Sequence, residues 1–146
     1  MKPIYLDTSL VVASLVHEPG TATAHQLLQD AAERPWLISS WLETELASAL
    51  AMQCRRGTIQ IHERDEAWMR FRELREAKML EVPFESADFS SAARLCLADG
   101  PPIRAGDALH LAICMRSNSC LASFDQGLCA AASHHHVLVE HLRVSG

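Results

Sequence analysis

Pro3-Ile4-Tyr5-Leu6-Asp7-Thr8 is a short apolar run that ends on a carboxylate. Ile4, Tyr5 and Leu6 in succession, bounded by a proline and by polar residues, read as a buried strand with Asp7 at its carboxyl end. Near the other end of the chain, Cys120-Leu121-Ala122-Ser123-Phe124 reads the same way and runs straight into Asp125. Trp36-Leu37-Ile38 and Leu80-Glu81-Val82 are two further strand candidates, and a last short helix and a strand over Val137–Val139 complete the order.

Helical patterns separate these strands. One begins at about Thr21, with Ala24, Leu27, Leu28 and Ala31 as its inner stripe. A second opens at Ser39-Ser40, carries Leu42, Leu46, Ala49 and Gln53 on one face, and ends at Gly57. His62 to Lys78 turns Ala67, Trp68, Phe71 and Leu74 inward, and its basic residues are interleaved with acids as on a solvated face. Ser86 is placed to cap the next helix, with Phe89, Ala92, Ala93, Cys96 and Leu97 buried, and another starts near Ala105 with Ala108, Leu111, Ala112 and Met115 at core spacing. Short strands alternating with amphipathic helices predict an α/β fold, a three-layer α/β/α sandwich around a central, mainly parallel sheet. In such sheets the functional crevice lies beyond the carboxyl ends of the strands, where Asp7 and Asp125 are expected.

The chain has 146 residues, the usual size of one domain, and its turn signals at Pro19-Gly20, Arg56-Gly57 and Gly100-Pro101-Pro102 fall between periodic segments. A single domain over residues 1–146 is expected. No apolar run approaches the roughly 20 residues that span a bilayer, and Asp7 follows the start too closely for a secretory signal, so a cytoplasmic protein with no membrane role is expected. Five cysteines without a Cys-x-x-Cys pair argue for free thiols, four of them at core positions. A net charge of −5 argues against nonspecific clamping of nucleic acid, unless a divalent cation neutralises clustered acids.

Acids embedded in apolar sequence are the informative ones, because solvation does not explain them. Asp7 is such a residue, although capping a following helix together with Thr8 or Ser9 is an equal reading. Glu43 and Glu45 share one helix. Ser40-Trp41-Leu42-Glu43 has the form of a capping box, which gives Glu43 a local task and leaves Glu45, at the margin of the stripe of Leu42, Leu46 and Ala49, as the candidate ligand. Asp107 lies in a helix's first turn and Asp125 precedes a helix, so both are also explained by the helix dipole and capping. Four carboxylates brought to one end of a sheet would repel one another unless a cation stood among them. Hard, oxygen-seeking Mg²⁺ or Mn²⁺ suits such a set, and either ion can activate water for attack on a phosphodiester.

Leu6-Asp7-Thr8-Ser9, Thr44-Glu45-Leu46-Ala47-Ser48-Ala49-Leu50, Asp107-Ala108-Leu109-His110-Leu111-Ala112 and Leu121-Ala122-Ser123-Phe124-Asp125 occur in the order and spacing of a known family. Over nearly its whole length the chain resembles the PIN-domain ribonucleases, and among them the VapC-type toxins of toxin–antitoxin pairs. The resemblance implies that Asp7, Glu45, Asp107 and Asp125 are catalytic and bind the metal, directly or through water, with Ser9 and Ser123 in supporting polar positions. Ser123 stands where the family commonly has threonine, which keeps the hydroxyl. It further implies Mg²⁺-dependent endonucleolytic cleavage of RNA, a small antitoxin partner that covers the acidic pocket, and a homodimer.

Other residues leave alternatives open. Arg104 is either an RNA-phosphate contact or a plain surface arginine. His110 is either a substrate contact or a packing residue. His134-His135-His136 is a transition-metal site only if its side chains converge, which adjacent residues on most backbones do not do. Two rivals remain at this point: a housekeeping RNA- or DNA-cutting nuclease without an antitoxin, and a noncatalytic receiver-like signalling module. The second expects a lysine after a late strand, and the only lysines are Lys2 and Lys78.

Overall fold

Side chains alternate across a strand, and in this chain that alternation divides the core into two halves. In the computed structural model, Ile4 and Leu6 of strand β1 (Ile4–Leu6) and Trp36 and Ile38 of β2 (Trp36–Ser39) face one apolar cluster. Tyr5 and Leu37, the residues between them, face the other. The structure describes residues 1–142 and Val144; Arg143, Ser145 and Gly146, which close the expected span 1–146, lie outside the described residues.

β3 (Met79–Val82) and β4 (Cys120–Ala122) complete a four-stranded sheet of order β3-β2-β1-β4. All pairings are parallel, with Tyr5 opposite Leu37 on one side and opposite Leu121 on the other. The first cluster packs under α1 (Thr8–Leu15), α2 (Thr21–Asp30), α3 (Ser40–Arg55) and α4 (Ile61–Lys78); the second packs under α5 (Ser86–Leu97), α6 (Ala105–Arg116) and α7 (Gln126–His134). This is the three-layer α/β/α sandwich with a parallel sheet that the alternation predicts. Tyr5, Phe71, Leu42, Leu111 and Leu121 are wholly buried, each contributing roughly 2–3 kcal/mol.

Several local expectations are corrected. Thr8–Leu15 is a helix without a sequence signature: six of its eight residues are buried, so it has no polar face to give an amphipathic rhythm. Ser39, not Ser40, caps α3, without a side-chain bond, and Glu43 makes no capping box; its carboxylate pairs with Arg75 of α4 at 2.9 Å. Glu85, not Ser86, caps α5 through a reciprocal box with Asp88. That helix buries Asp88, Ala92 and Leu95 and leaves Phe89 and Leu97 56% and 87% exposed, because Asp88 turns inward to meet Arg116 of α6. Cys96 is exposed with them, whereas Cys114 and Cys120 are buried and Cys54 and Cys129 half-buried; all five are free thiols. Met115 is largely exposed at the end of α6. The final strand is reduced to one parallel bridge, Leu121 to Val139. No helix among the described residues is long and apolar enough to cross a membrane.

Candidate active site

The order β3-β2-β1-β4 places the reversal of strand succession between β1 and β4, and their carboxyl ends open a crevice there. Asp7 follows β1 and Asp125 follows β4 by a few residues, so both expected strand-end acids reach this crevice. Each also caps a helix. Asp7 accepts from the Ser9 amide at the start of α1, and Asp125 Oδ1 accepts from the Leu128 amide at the start of α7. Capping and site placement are thus the same geometry: the turn that ends the strand and begins the helix is what aims the carboxylate.

Asp7 is 4% exposed and held through one oxygen. Its Oδ2 accepts from the hydroxyls of Ser9 and Ser123, both at 2.7 Å, and from the Ser9 amide at 3.3 Å. Each hydroxyl then accepts from a backbone amide, Ser9 from Phe124 and Ser123 from Asp125, both at 2.9 Å. Ser9 and Ser123 therefore tie the end of β4 to the start of α1, and they leave Asp7 Oδ1 turned toward His110 Nε2, 3.7 Å away.

Glu45 reaches the crevice from the second turn of α3, half-buried. Its Oε1 accepts from Thr8 Oγ1 at 2.7 Å and from His110 Nε2. Burial pushes the Glu45 carboxyl up, but the hydrogen bond and charge of His110, aided by Thr8 and Trp41, outweigh burial and hold it below the usual range. Beyond His110, the ring's Nδ1 meets the hydroxyl of buried Tyr5 at 2.6 Å. Burial raises the Tyr5 phenol well above its ordinary value. Gly106 lets α6 close over this group: a Cβ there would come within 3.3 Å of Trp41 Nε1 and 3.5 Å of Glu45 Oε2.

Asp107, in the first turn of α6, is the least satisfied acid. Among the described residues its carboxylate has no hydrogen-bond partner, and burial followed by the charges of Asp125, Asp7 and Glu45 pushes its acid up to about 6. The same negative field, after burial, raises the Cys129 thiol beside Asp7 and Asp125. The four acids therefore share one electrostatic neighbourhood. Among the described residues, no three His, Cys, Asp or Glu side chains stand close enough to enclose an ion by themselves. The donor set still fits a hard cation that retains several of its waters: all four candidates are carboxylates, and Asp7 Oδ1, Asp125 Oδ2 and both Asp107 oxygens accept no hydrogen bond from the described residues.

Arg104 is exposed at the N-cap of α6, and among the described residues its guanidinium has no partner. Among the described residues, the His134–His136 run gathers no metal cluster. The His134 ring instead fills the space beside Gly100, whose φ is +116° and where a Cβ would lie 2.5 Å from the ring. His134 also packs edge-on against His135. Thr8 and Tyr5 are site residues that sequence reasoning did not single out. His110, open to both substrate contact and packing from sequence alone, lies here; its i, i+3 relation to Asp107 on one helix is the signal that points to it.

A comparison with protein families matches residues 4–133 to the PIN domain. No curated protein matches the chain in sequence. Among solved structures, the chain is similar to VapBC2 from Rickettsia felis bound to a DNA fragment from their promoter, with a TM-score of 0.70 and 15% identity over 96% of this chain and 99% of that one. FitAcB from Neisseria gonorrhoeae gives 0.66 and 20% over 94% and 96%. Mycobacterium tuberculosis VapC20, described as a Sarcin-Ricin loop cleaving toxin, gives 0.68 and 17% over 88% and 94%. At these identities the likeness shows a shared fold. The family match itself runs from the first strand to the last turn of α7, through all four candidate acids, and the chain belongs to the PIN domain family.

Proposed function

We propose that the chain is a metal-dependent endoribonuclease, a single nuclease domain over residues 1–146, and the toxin component of a toxin–antitoxin pair. One observation carries the reading: Asp107 is half-buried and, among the described residues, without a hydrogen-bond partner, facing the charges of Asp7, Glu45 and Asp125 at the switch point of the sheet. Such a set is costly without a compensating charge, and Mg²⁺ or Mn²⁺ supplies one. Asp7, Glu45, Asp107 and Asp125 would hold the ion, directly or through its waters. When bound, it would activate water and stabilise the leaving oxygen of a phosphodiester.

The chain's own residues do the positioning. Ser9 and Ser123 fix Asp7 through Oδ2 and keep Oδ1 toward the crevice; the α7 amide at Leu128 fixes Asp125 through Oδ1. Arg104, exposed and one turn before Asp107, would take an RNA phosphate and so set the strand's register against the acids. An antitoxin partner is supported by the similar VapBC2 and FitAcB structures, a homodimer is part of the same reading, and cytoplasmic action accords with RNA as substrate. A short neighbouring reading frame for a DNA-binding protein with a polar tail would agree with the toxin reading; its absence would favour a housekeeping nuclease. Membership of the PIN family removes the receiver-like alternative.

The purified chain is expected to cut labelled RNA with Mg²⁺ or Mn²⁺ and to stop when the metal is chelated. Asp7→Asn should lose at least about a hundredfold in rate, the upper scale on which even outer partners of metal ligands act. Cleavage by Asp7→Asn at the parent rate would refute the mechanism.

A further inference from the structure

The Glu45 carboxylate is held by side chains from two other elements, Thr8 of α1 and His110 of α6, and the way those side chains are linked assigns work to residues outside the acidic set. His110 is 0% exposed, yet both its ring nitrogens face polar atoms: Nε2 the Glu45 Oε1, Nδ1 the Tyr5 hydroxyl at 2.6 Å. A carboxylate accepts only, and Asp7 Oδ1 also lies on the Nε2 side at 3.7 Å, so Nε2 must carry a hydrogen. Nδ1 and the Tyr5 hydroxyl, 2.6 Å apart, share one hydrogen between them, whichever of the two donates it. Hydrogen bonds thus link Tyr5 to His110 and His110 to Glu45, with Thr8 Oγ1 as a second donor to the same carboxylate oxygen. The indole N–H of Trp41, buried and, among the described residues, without a hydrogen bond of good geometry, lies beside the other oxygen near Gly106.

We infer that Tyr5 and His110 are positioning residues: the buried Tyr5–His110 relay fixes the rotamer of Glu45, occupying Oε1 so that Oε2 is presented to the cation. This rests on the nuclease reading and deepens it. A ligand's orientation is governed by such outer hydrogen bonds, and their loss ordinarily lowers metal affinity by about 10–100-fold. Neither side chain reaches solvent, so neither contacts RNA directly.

The test is Mn²⁺ binding, followed by the ion's paramagnetic signal in solution, together with kcat and KM for RNA cleavage and a thermal unfolding curve for each variant. His110→Leu keeps bulk and removes both nitrogens; Mn²⁺ affinity should fall by about 10–100-fold, with kcat falling and KM for RNA little changed. His110→Gln places an amide N–H near the position of Nε2 and should recover affinity to within about threefold of the parent. Tyr5→Phe removes one buried hydroxyl with the ring in place, so it tests the relay even if His110→Leu does not fold; it should weaken Mn²⁺ binding by about 3–10-fold. Parent-like Mn²⁺ affinity in folded Tyr5→Phe and His110→Leu overturns the inference. Tighter binding in His110→Leu also overturns it, because His110 would then compete with the ion for Glu45. A parent chain that binds no Mn²⁺ and cuts no RNA fails the nuclease reading itself and takes this inference with it, an outcome distinct from a metal-binding parent with indifferent variants.

Discussion

A single oxygen, Asp7 Oδ2, gathers three hydrogen bonds, and two of them come from hydroxyls supplied by opposite ends of the chain. Ser9 and Ser123 also touch each other at 3.2 Å, and since both hydrogens point to Asp7, that contact is held by the carboxylate between them. Removing either hydroxyl leaves a buried carboxylate and a backbone amide short of one partner, a loss of about 1–2 kcal/mol. Because both serines serve one oxygen, Ser9→Ala and Ser123→Ala should be non-additive in urea unfolding, with a coupling of about 0.5 kcal/mol or more; strictly additive losses would mean that the two bonds are independent. Asp7 and Asp125 could be read from the sequence because an acid that ends an apolar run calls for an explanation. Glu45 was separated from Glu43 by assigning Glu43 to a capping box; the structure gives Glu43 to Arg75 instead, while Glu45 is the one beside Thr8 and His110. Thr8 and Tyr5 could not be read, because their partners lie 37 and 105 residues away and local spacing carries no trace of them.

Elements were legible where one face is apolar and the other polar, as in α4, expected from His62 and observed from Ile61 to Lys78. They were not legible in α1, buried nearly all round, nor on the inner face of α5, where a charged residue takes a core position. Asp88 is 2% exposed and accepts two hydrogen bonds from the Arg116 guanidinium, at 2.8 and 2.9 Å, besides closing the capping box at Glu85. The Arg116 hydrogen bonds hold its acid below the usual carboxylate range, against the opposing effect of burial and with help from the backbone at Glu85. A folded-state value below the unfolded one means that this contribution is complete above about pH 4 and is lost as pH falls through the lower, folded value. Asp88→Ala should therefore cost about 2 kcal/mol at neutral pH, combining a lost cap with a broken half-buried pair. Its unfolding free energy should also decline less steeply than the parent's below pH 4. Equal acid slopes would show that Asp88 does not couple folding to protonation.

At the scale of the whole molecule, the sheet order brings four acids from β1, α3, α6 and the end of β4 to one edge of a chain already carrying −5. That convergence opposes folding while its charge is uncompensated, so if the proposed cation binds there, stability and metal binding should trade against each other at Asp107. Burial and its acidic neighbours raise the Asp107 acid to about 6, above its unfolded value near 4, so the folded chain binds that proton more tightly than the unfolded one. The metal-free protein should then gain stability as pH falls from about 7 through 6 toward 4, by about 1–2 kcal/mol after solvent screening of a half-buried group. Asp107→Asn removes the charge, and at pH 7.5 without metal it should unfold at a higher temperature than the parent and lack that pH-dependent gain. If the proposed site binds Mn²⁺, the added ion should reverse the ranking. At a hundredfold excess over its dissociation constant an ion bound only by the folded state contributes about 2.7 kcal/mol, on the order of 10 °C for a domain of this size. The parent should show that rise and the variant little of it. Calorimetric scans of both proteins, with Mn²⁺ and with chelator, measure all four states; an Asp107→Asn protein that is less stable without metal, or equally stabilised by Mn²⁺, would mean that Asp107 does not face an uncompensated negative field.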